Sequence, residues 1–370
     1  MKKILILNWR DPKHPNAGGA EQATMIHAQA WKKAGYDITW FSSHVDGLAQ
    51  TETYKGIKII RRGYLVFLVQ WEAFKHLQNN TYDLVVDQIH GLPFFTPLYL
   101  KSTPVLAYIH ELSKEVVWHN PYPFPLNTIV GALARLLEPI IFFLIYKNTQ
   151  FMTVSNSTKK ELESLGINKI SVIENGVTIP ETIAKYRKET DTTLIYLGAL
   201  AKDKGVEDVI DIFNRLSLAH KNWNFWIVGK GEEKYRRYLS QEATKGIKFF
   251  GYVSESRKFE LLGKAHILIN PSIREGWGLV NIEANSVGTP VIGYKVTGMV
   301  DSVIDTRTGI LVKKHDTKSI IKAINVLVNN KDRYNTMVID CRKHAKKFTW
   351  KNSINCSTIL IKEVINGSKK

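Results

Sequence analysis

Short, almost continuously apolar runs alternate with stretches of helical periodicity along the whole chain, and this alternation limits the possible folds most. Strands are predicted first at 3–7, 37–41, 57–61, 84–87, 105–109 and 151–154, then at 171–173, 193–197, 224–228, 247–249, 267–270 and 290–293. Strands that lack polar alternation are buried on both faces, and helices between them indicate parallel sheets. The sequence therefore predicts an α/β fold.

The chain of 370 residues is too long for one ordinary hydrophobic core. We expect two doubly wound domains, 1–175 and 176–351, divided at the turn signal Asn175-Gly176-Val177, with a final helix at about 352–370 that packs back on the first domain. Ligands of such sheets bind beyond the carboxyl ends of the strands. Two of these domains facing each other would share one deep cleft.

The basic residues are dispersed along the chain. The net charge is +17, and residues 1–175, 176–350 and 351–370 contribute +4, +10 and +3. Basic residues spread in this way mainly keep helix faces solvated. The alternative interpretation is a weak attraction of the protein to anionic lipid or polymer. A nucleic-acid partner is not expected. Cys341 and Cys356 have no metal or redox spacing, which favours a reduced, cytoplasmic compartment.

The segment 271–284, PSIREGWGLVNIEA, places two carboxylates on either side of a glycine-containing turn that runs into a predicted helix. Carboxylates accept hydrogen bonds from sugar and ribose hydroxyls, and a helix N-terminus attracts phosphate oxygens. A ligand built from sugar, diphosphate and ribose would satisfy Glu275, the turn and Glu283 together.

Three other loops follow predicted strands. Gly18-Gly19 precedes a helix and suits an anion, although a plain tight turn fits equally. Lys204 lies in a turn from which it could reach a diphosphate, although spacing alone favours a surface lysine. His110 follows a strand, and it either points at a ligand in the crevice or is only a cleft-lining or capping histidine.

The paired glutamates around Gly-Trp-Gly resemble the signature of the retaining glycosyltransferases of family four, which have the GT-B fold of two Rossmann-like domains. The resemblance extends over most of the chain, through Gly18-Gly19, His110, Val154–Ser157, Asn175–Val177, Lys204-Gly205 and 227–231. It implies an acceptor-binding first domain and a second domain that binds a nucleoside diphosphate sugar.

The resemblance also implies site roles residue by residue. Glu275 would bind hydroxyls of the donor sugar, His110 would lie beside the reacting carbon, Glu283 would bind the ribose, and Lys204 would neutralise the diphosphate. Backbone groups would hold the rest of the donor: the phosphates and sugar at Gly18, Gly19, Gly276, Trp277, Gly278, Leu279 and Val280, and the nucleobase at the Gly251-Tyr252-Val253 turn. No metal ion or other cofactor is implied.

One position departs from the family pattern, because Ala199 stands where members commonly carry an arginine that clamps phosphate. Lys202 lies close in sequence and could compensate. The expected reaction is transfer of a sugar from a nucleoside diphosphate sugar to an acceptor hydroxyl, with retention, in glycan, polysaccharide or glycolipid synthesis. A sugar-nucleotide epimerase of similar fold and a catalytically silent nucleotide-sugar-binding protein remain the alternatives.

Aromatic loops in the first half, around Trp9, Pro93–Phe95 and 118–123, suit a glycan or lipid-linked acceptor. The run 61–71 mixes arginines with interfacial aromatics and could touch the inner face of a membrane, but a strand end leading into a buried helix is the favoured interpretation. The most apolar helix is predicted at 129–146. Arg135, Glu138 and Pro139 in its middle argue against a span, so it would pack in the core or rest on a membrane surface.

Overall fold

The computed structural model describes residues 1–64, 66–119, 124–179 and 186–367. The chain divides into two compact units, Met1–Asn175 with Lys351–Lys370 and Gly176–Trp350, here called the N-terminal and C-terminal units. Each unit contains a largely parallel sheet with helices between its strands. The predicted α/β class is confirmed.

The N-terminal unit is built on an eight-stranded sheet of order β3-β4-β2-β1-β5-β6-β7-β8. Its strands are β1 Lys3–Leu7, β2 Asp37–Ser42, β3 Thr51–Tyr54, β4 Ile57–Arg61, β5 Leu84–Ile89, β6 Val105–Ile109, β7 Gln150–Thr153 and β8 Ile170–Val172. Its helices are α1 Gly19–Lys33, α2 Val66–Gln78, α3 Thr96–Tyr99, α4 Leu126–Ile141 and α5 Asn156–Ser164, with a 3₁₀ turn at Lys114–His119 and a π turn at Phe142–Tyr146 that continues α4. The central strands are fully buried because both faces of the sheet are covered.

The C-terminal unit has a six-stranded parallel sheet of order β11-β10-β9-β12-β13-β14. Its strands are β9 Thr193–Leu197, β10 Asn224–Val228, β11 Ile247–Gly251, β12 Ile267–Asn270, β13 Val291–Tyr294 and β14 Gly309–Val312. Its helices are α6 Val206–Ala219, α7 Glu233–Glu242, α8 Glu255–Lys264, α9 Leu279–Ser286, α10 Met299–Ser302, α11 Thr317–Asn329 and α12 Lys331–Ala345. The order jumps between β9 and β12, and this switch point is where an open α/β sheet leaves a ligand crevice.

The structure differs from the sequence prediction at two strands and two helices. β3 was not predicted and pairs antiparallel with β4, and β14 was also missed. The core alternative for the apolar helix is wrong, because most side chains of α4 are exposed. Likewise α2, predicted as a buried helix after residue 61, exposes Phe67 and Trp71. An apolar stripe has the same sequence pattern whether it meets protein or another apolar phase.

The last helix, α13 Trp350–Gly367, belongs to the N-terminal unit from Lys351 onward. Its buried Ser357 hydroxyl donates to the Ile354 carbonyl, accepts from Trp31 Nε1 at 3.2 Å and lies 2.8 Å from His27 Nδ1. Burial lowers the pKa of His27 to about 4, so the imidazole is neutral at physiological pH. One hydroxyl thus joins α13 to α1 inside an apolar contact.

Replacing Ser357 with alanine should destabilise the N-terminal unit by about 1–3 kcal/mol, because Trp31 and His27 each lose a buried hydrogen-bond partner. Urea unfolding of S357A measures the cost. Cys356→Ala is the matched control, since Cys356 precedes Ser357 on the same helix but is exposed. An S357A protein as stable as C356A would show that this contact contributes nothing.

Candidate active site

The turn from β12 to α9 carries the paired glutamates and has an unusual backbone. Gly278 is the N-cap of α9 and has φ +74°, a left-handed conformation that favours glycine. A Cβ at this position would lie 2.4 Å from Asn281 Nδ2, so a side chain is excluded by contact as well. The conformation lets α9 begin at Leu279, and the N–H groups of Leu279 and Val280 precede the first intrahelical bond, which the Asn281 N–H makes to the Gly278 carbonyl at 2.9 Å. This is a ready anion site.

A buried amide network fixes the turn from beneath. Asn281 accepts from Asn270 Nδ2 at 2.9 Å and donates to Ser302 Oγ at 2.9 Å. Asn270 Oδ1 in turn accepts from the Ser272 backbone N–H at 3.3 Å. The network joins β12, α9 and α10. Sequence reasoning missed these residues because an asparagine inside a helix carries no signal of its own.

Lys204 and Glu275 lie together at the mouth of this turn. Lys204 Nζ is 3.1 Å from Glu275 Oε1, and the Ser272 hydroxyl is 2.7 Å from the same oxygen. Gly205, with φ +68°, makes the approach possible, because a Cβ there would lie 2.3 Å from the Pro271 carbonyl oxygen. Both side chains remain partly exposed. The surface alternative for Lys204 is therefore replaced by a cation held beside a carboxylate.

Glu283 lies one turn along α9 and pairs with Lys258 of α8, with 2.7 Å between Nζ and Oε1. Burial raises the pKa of Glu283, and the positive charge of Lys258 partly offsets that rise. Lys258 is a second residue that sequence reasoning missed. A carboxylate paired with a lysine in a largely desolvated position is a strong acceptor for hydroxyl groups.

Other expected donor-binding residues of this unit fall into two groups. Gly276 lies in the turn before α9, and Leu279 and Val280 lie in the first turn of this helix. At these positions a ligand could contact the backbone N–H groups. The Trp277 side chain instead enters the core, 3% exposed and 5.1 Å from the Phe348 ring. Tyr252 is 79% exposed after β11 with Lys230 over its ring, and Val253 follows it. For Trp277 only the expected backbone role is compatible with this position, whereas Tyr252 leaves its side chain accessible as well.

His110, in the N-terminal unit, directly follows β6. Its Nε2 is buried and has no hydrogen-bond partner among the described residues, whereas its backbone carbonyl accepts from Thr158 Oγ1 at 3.2 Å. Burial first, and then the nearby His90, lower the pKa of His110 to about 3. The ring is therefore neutral and has one buried nitrogen whose hydrogen-bonding capacity the described residues do not use, and its contacts give no support to a capping role.

Gly18 and Gly19 form the start of α1 in the same unit. The Glu21 carboxylate accepts from the Gly18 backbone N–H at 2.7 Å and pairs with Arg10 at 3.2 Å. Arg10 also bonds His90. The Gly18 N–H is thus already satisfied by the protein, so an anion would meet the N–H groups that follow it. The start of α1 therefore lies beside an ion pair in which the charges of Arg10 and Glu21 offset each other.

Among the described parts of the chain, no three His, Cys, Asp or Glu side chains are grouped so that they could hold a metal ion. Residues 120–123 of the expected acceptor loop lie outside the described residues.

Two doubly wound α/β units, each with polar groups at strand ends, define the GT-B class of fold. Family comparison agrees: residues 17–179 match the model of Glycosyltransferase Family 4, and residues 178–346 match that of Glycosyl transferases group 1. The chain belongs to this family of glycosyltransferases.

Individual proteins resemble the chain over most of its length. An uncharacterized glycosyltransferase of Methanocaldococcus jannaschii is 25% identical over 76% of this chain and 86% of its own. Among solved structures, sucrose-phosphate synthase of Thermosynechococcus elongatus superposes with a TM-score of 0.81 at 18% identity, covering 99% of this chain and 100% of that one. Anabaena HepE, solved in complex with UDP-glucose, gives 0.71 at 18% identity, covering 98% and 99%.

The amide network should be essential to the stability of the C-terminal unit. Asn281→Ala leaves Asn270 and Ser302 without their shared partner, at a cost of about 2–3 kcal/mol that exceeds the gain in helix propensity. Thermal and urea unfolding measure this cost. Asn222→Ala, in the exposed turn before β10, should change stability by less than about 0.5 kcal/mol. Equal stability of the two variants would contradict a structural role for Asn281.

Proposed function

We propose that this glycosyltransferase transfers a hexose from a nucleoside diphosphate sugar to an acceptor hydroxyl, with retention of the anomeric configuration. The observation that carries the proposal is the placement of Lys204 at 3.1 Å from Glu275, at the turn that begins α9. Glu283 follows on the same helix, so hydroxyl, phosphate and ribose groups find partners in that order. The complex of HepE with UDP-glucose supports a donor of this class.

Breaking the bond between the anomeric carbon and the diphosphate oxygen leaves negative charge on the phosphate and positive character on the sugar. Lys204 and the N–H groups at the start of α9 stabilise the departing diphosphate, because preorganised donors act where charge develops. The acceptor oxygen then bonds to the anomeric carbon from the side of the leaving group, and its proton passes to the departing phosphate. We propose that this chemistry needs no metal ion.

Glu275 and His110 are the groups proposed to hold the reacting sugar. The carboxylate of Glu275 accepts hydrogen bonds from sugar hydroxyls, and Lys204 keeps it oriented. His110 is neutral because its pKa is about 3, so its free Nε2 can bond a hydroxyl without placing a positive charge near the developing cation. Gly18 and Gly19 would contribute helix N–H groups to the phosphates from the N-terminal unit.

The acceptor is proposed to bind the N-terminal unit, whose loops present aromatic side chains including Trp9 and Trp118. A glycan or lipid-linked saccharide fits this surface, in glycan, polysaccharide or glycolipid synthesis, and a nucleic acid is not proposed as a partner. The proposed location is the cytoplasm or the cytoplasmic face of a membrane.

Lys204→Met tests the proposal. Loss of the cation should lower kcat/KM for transfer about 10²–10³-fold, because charge on the leaving diphosphate loses its main neutralising group. The assay incubates a panel of nucleoside diphosphate sugars with candidate acceptors and identifies glycosidic products by mass spectrometry. The anomeric configuration is then read by NMR.

Lys221→Met is the control, since Lys221 is exposed in the turn after α6 of the same unit. It should retain wild-type rates. If the wild-type protein only epimerises labelled donor, or if K204M transfers sugar as fast as K221M, the proposed mechanism is wrong.

The pH dependence of donor binding should report the Glu283–Lys258 pair. Glu283 binds ribose hydroxyls as an ionised acceptor, and its raised pKa means that affinity is complete above that pKa and lost as pH falls through it. Lys258→Met removes the offsetting positive charge, raises the pKa of Glu283 further, and so moves the loss of affinity to higher pH. Calorimetric titration of UDP at several pH values measures the shift.

Lys264→Met provides the matched control, because Lys264 ends the same helix and pairs with Glu260 at 3.0 Å. Its pH profile should coincide with that of the wild type. If the affinity of K258M for UDP depended on pH as that of the wild type does, the proposed binding of ribose by Glu283 would be wrong.

A further inference from the structure

The N-terminal unit exposes an apolar helical surface of unusual length. α4 and the π turn form one continuous helix, Leu126–Tyr146, that is long and apolar enough to cross a membrane by length and composition. Its outer face presents eight large apolar side chains at helical spacing: Leu126, Ile129, Leu133, Leu136, Leu137, Ile140, Phe143 and Leu144. Contiguous exposed apolar surface on this scale marks an interaction site.

The opposite face ties this helix to the unit. Tyr146 is buried and donates to Asp87 at 2.6 Å, and the Glu138 carboxylate accepts from the Ser113 N–H at 2.7 Å. Gly131 lies against Trp118, so closely that a Cβ would come within 2.7 Å of the indole ring. Crossing a membrane would break these contacts, so the helix belongs on a surface.

The apolar surface continues onto neighbouring elements. α2 shares a buried cluster with Val85, and the π turn shares one with Ile89. Val85 and Ile89 lie on the same face of β5, so α2 and the π turn cover the same side of the sheet. Between them α3 contacts both, because Phe74 of α2 meets Tyr99 at 5.1 Å and Thr96 shares Asp87 with Tyr146. An open pocket of about 310 Å³ lies here, lined by Phe67, Gln70, Trp71, Phe74, Phe94, Phe95 and Tyr99.

The charges along the helix Leu126–Tyr146 and its flanks are net positive, and Glu72 of α2 is paired with Lys75. Residues 124–148 contain one carboxylate, Glu138, which is used by the Ser113 N–H on the inner side. The charged residues on the exposed side of this stretch are Arg135 and Lys147, and Lys147 Nζ lies 4.5 Å from the centre of the Phe143 ring. An apolar stripe bordered by cations complements a surface that is apolar inside and anionic outside.

We propose that the exposed face of Leu126–Tyr146, together with α2 and α3, docks on an anionic lipid bilayer, with the helix lying in the plane of the interface. The large apolar side chains enter the acyl region, and Arg135 and Lys147 meet lipid phosphates. The residues of this docking surface all belong to the N-terminal unit. Access to a lipid-linked acceptor, which docking would provide, rests on the proposed function.

A bilayer fits this surface better than a second copy of the chain does. The stripe is a convex ridge about 30 Å long, and a fluid interface can cover it along its whole length. A symmetric dimer through the same face would bring Arg135 and Lys147 of both copies to one interface, while the one carboxylate of this helix, Glu138, is already used on the inner side.

Co-sedimentation with vesicles tests the proposal with the full chain. Wild-type protein should bind phosphatidylcholine vesicles that contain phosphatidylglycerol, more weakly at high salt and more weakly without the anionic lipid. The double variant Leu136→Glu, Leu144→Glu should lose about tenfold or more in affinity, because two side chains that are 64% and 71% exposed no longer enter lipid. R135Q with K147Q should abolish only the preference for anionic vesicles.

Leu218→Glu with Ile339→Glu is the matched control, since these residues of α6 and α12 are 74% and 66% exposed in the other unit. It should bind vesicles like the wild type. Binding of UDP by every variant is measured in parallel. Weaker vesicle binding by a variant that still binds UDP supports docking. Failure of the wild-type protein to bind UDP counts against the proposed function alone.

Three results would overturn the docking proposal. The first is equal vesicle binding by both glutamate pairs. The second is a stable dimer, found by sedimentation velocity, that only L136E with L144E dissociates. The third is resistance of the bound protein to alkaline carbonate extraction, which would indicate a helix that spans the bilayer.

Discussion

The close approach of two backbone turns in the C-terminal unit is the constraint on which its candidate site depends. Gly205 comes so near the Pro271 carbonyl that no side chain fits between them, and this contact brings Lys204 to Glu275. The pair would cost free energy to bury without compensation, because each ion gives up water. Partial exposure and the Ser272 hydroxyl reduce that cost, and both groups stay accessible to a ligand.

The candidate residues of the two units differ in electrostatic character. In the C-terminal unit the carboxylates are held beside lysines, which suits hydroxyl and phosphate ligands. In the N-terminal unit burial makes His110 neutral, whereas Arg10 and Glu21 compensate each other at the start of α1. A neutral hydrogen-bonding group suits a sugar that gains positive character, and charged groups suit a diphosphate, as the proposed glycosyl transfer requires of each.

Much of this architecture could be predicted from sequence because buried parallel strands are continuous apolar runs, and β1, β6, β9, β10 and β12 are found at their expected positions. The edge strands β3 and β14 are partly solvated and lack that signal. Glu275 could be predicted from its place in a turn after a strand, whereas the role of Lys204 followed only from the family resemblance, because spacing alone favoured a surface lysine. Asn281 and Lys258 could not, because each looks like an ordinary helix residue until the fold supplies its partner. The exposure of α4 could not be predicted either, because an apolar stripe in the sequence does not indicate whether protein or another apolar phase covers it.

Asp87 explains how the N-terminal unit can present so much apolar surface and still hold it in place. This fully buried carboxyl group accepts from Tyr146, from the Thr96 hydroxyl and from the backbone N–H of Phe94, and burial raises its pKa. It fastens α3 and the π turn to the end of β5 by directional bonds. Because those bonds do not depend on covering the outer faces of the helices, the outer faces are left to bind something else. A polar anchor beneath an apolar exterior is therefore consistent with a surface whose position is set before its partner arrives.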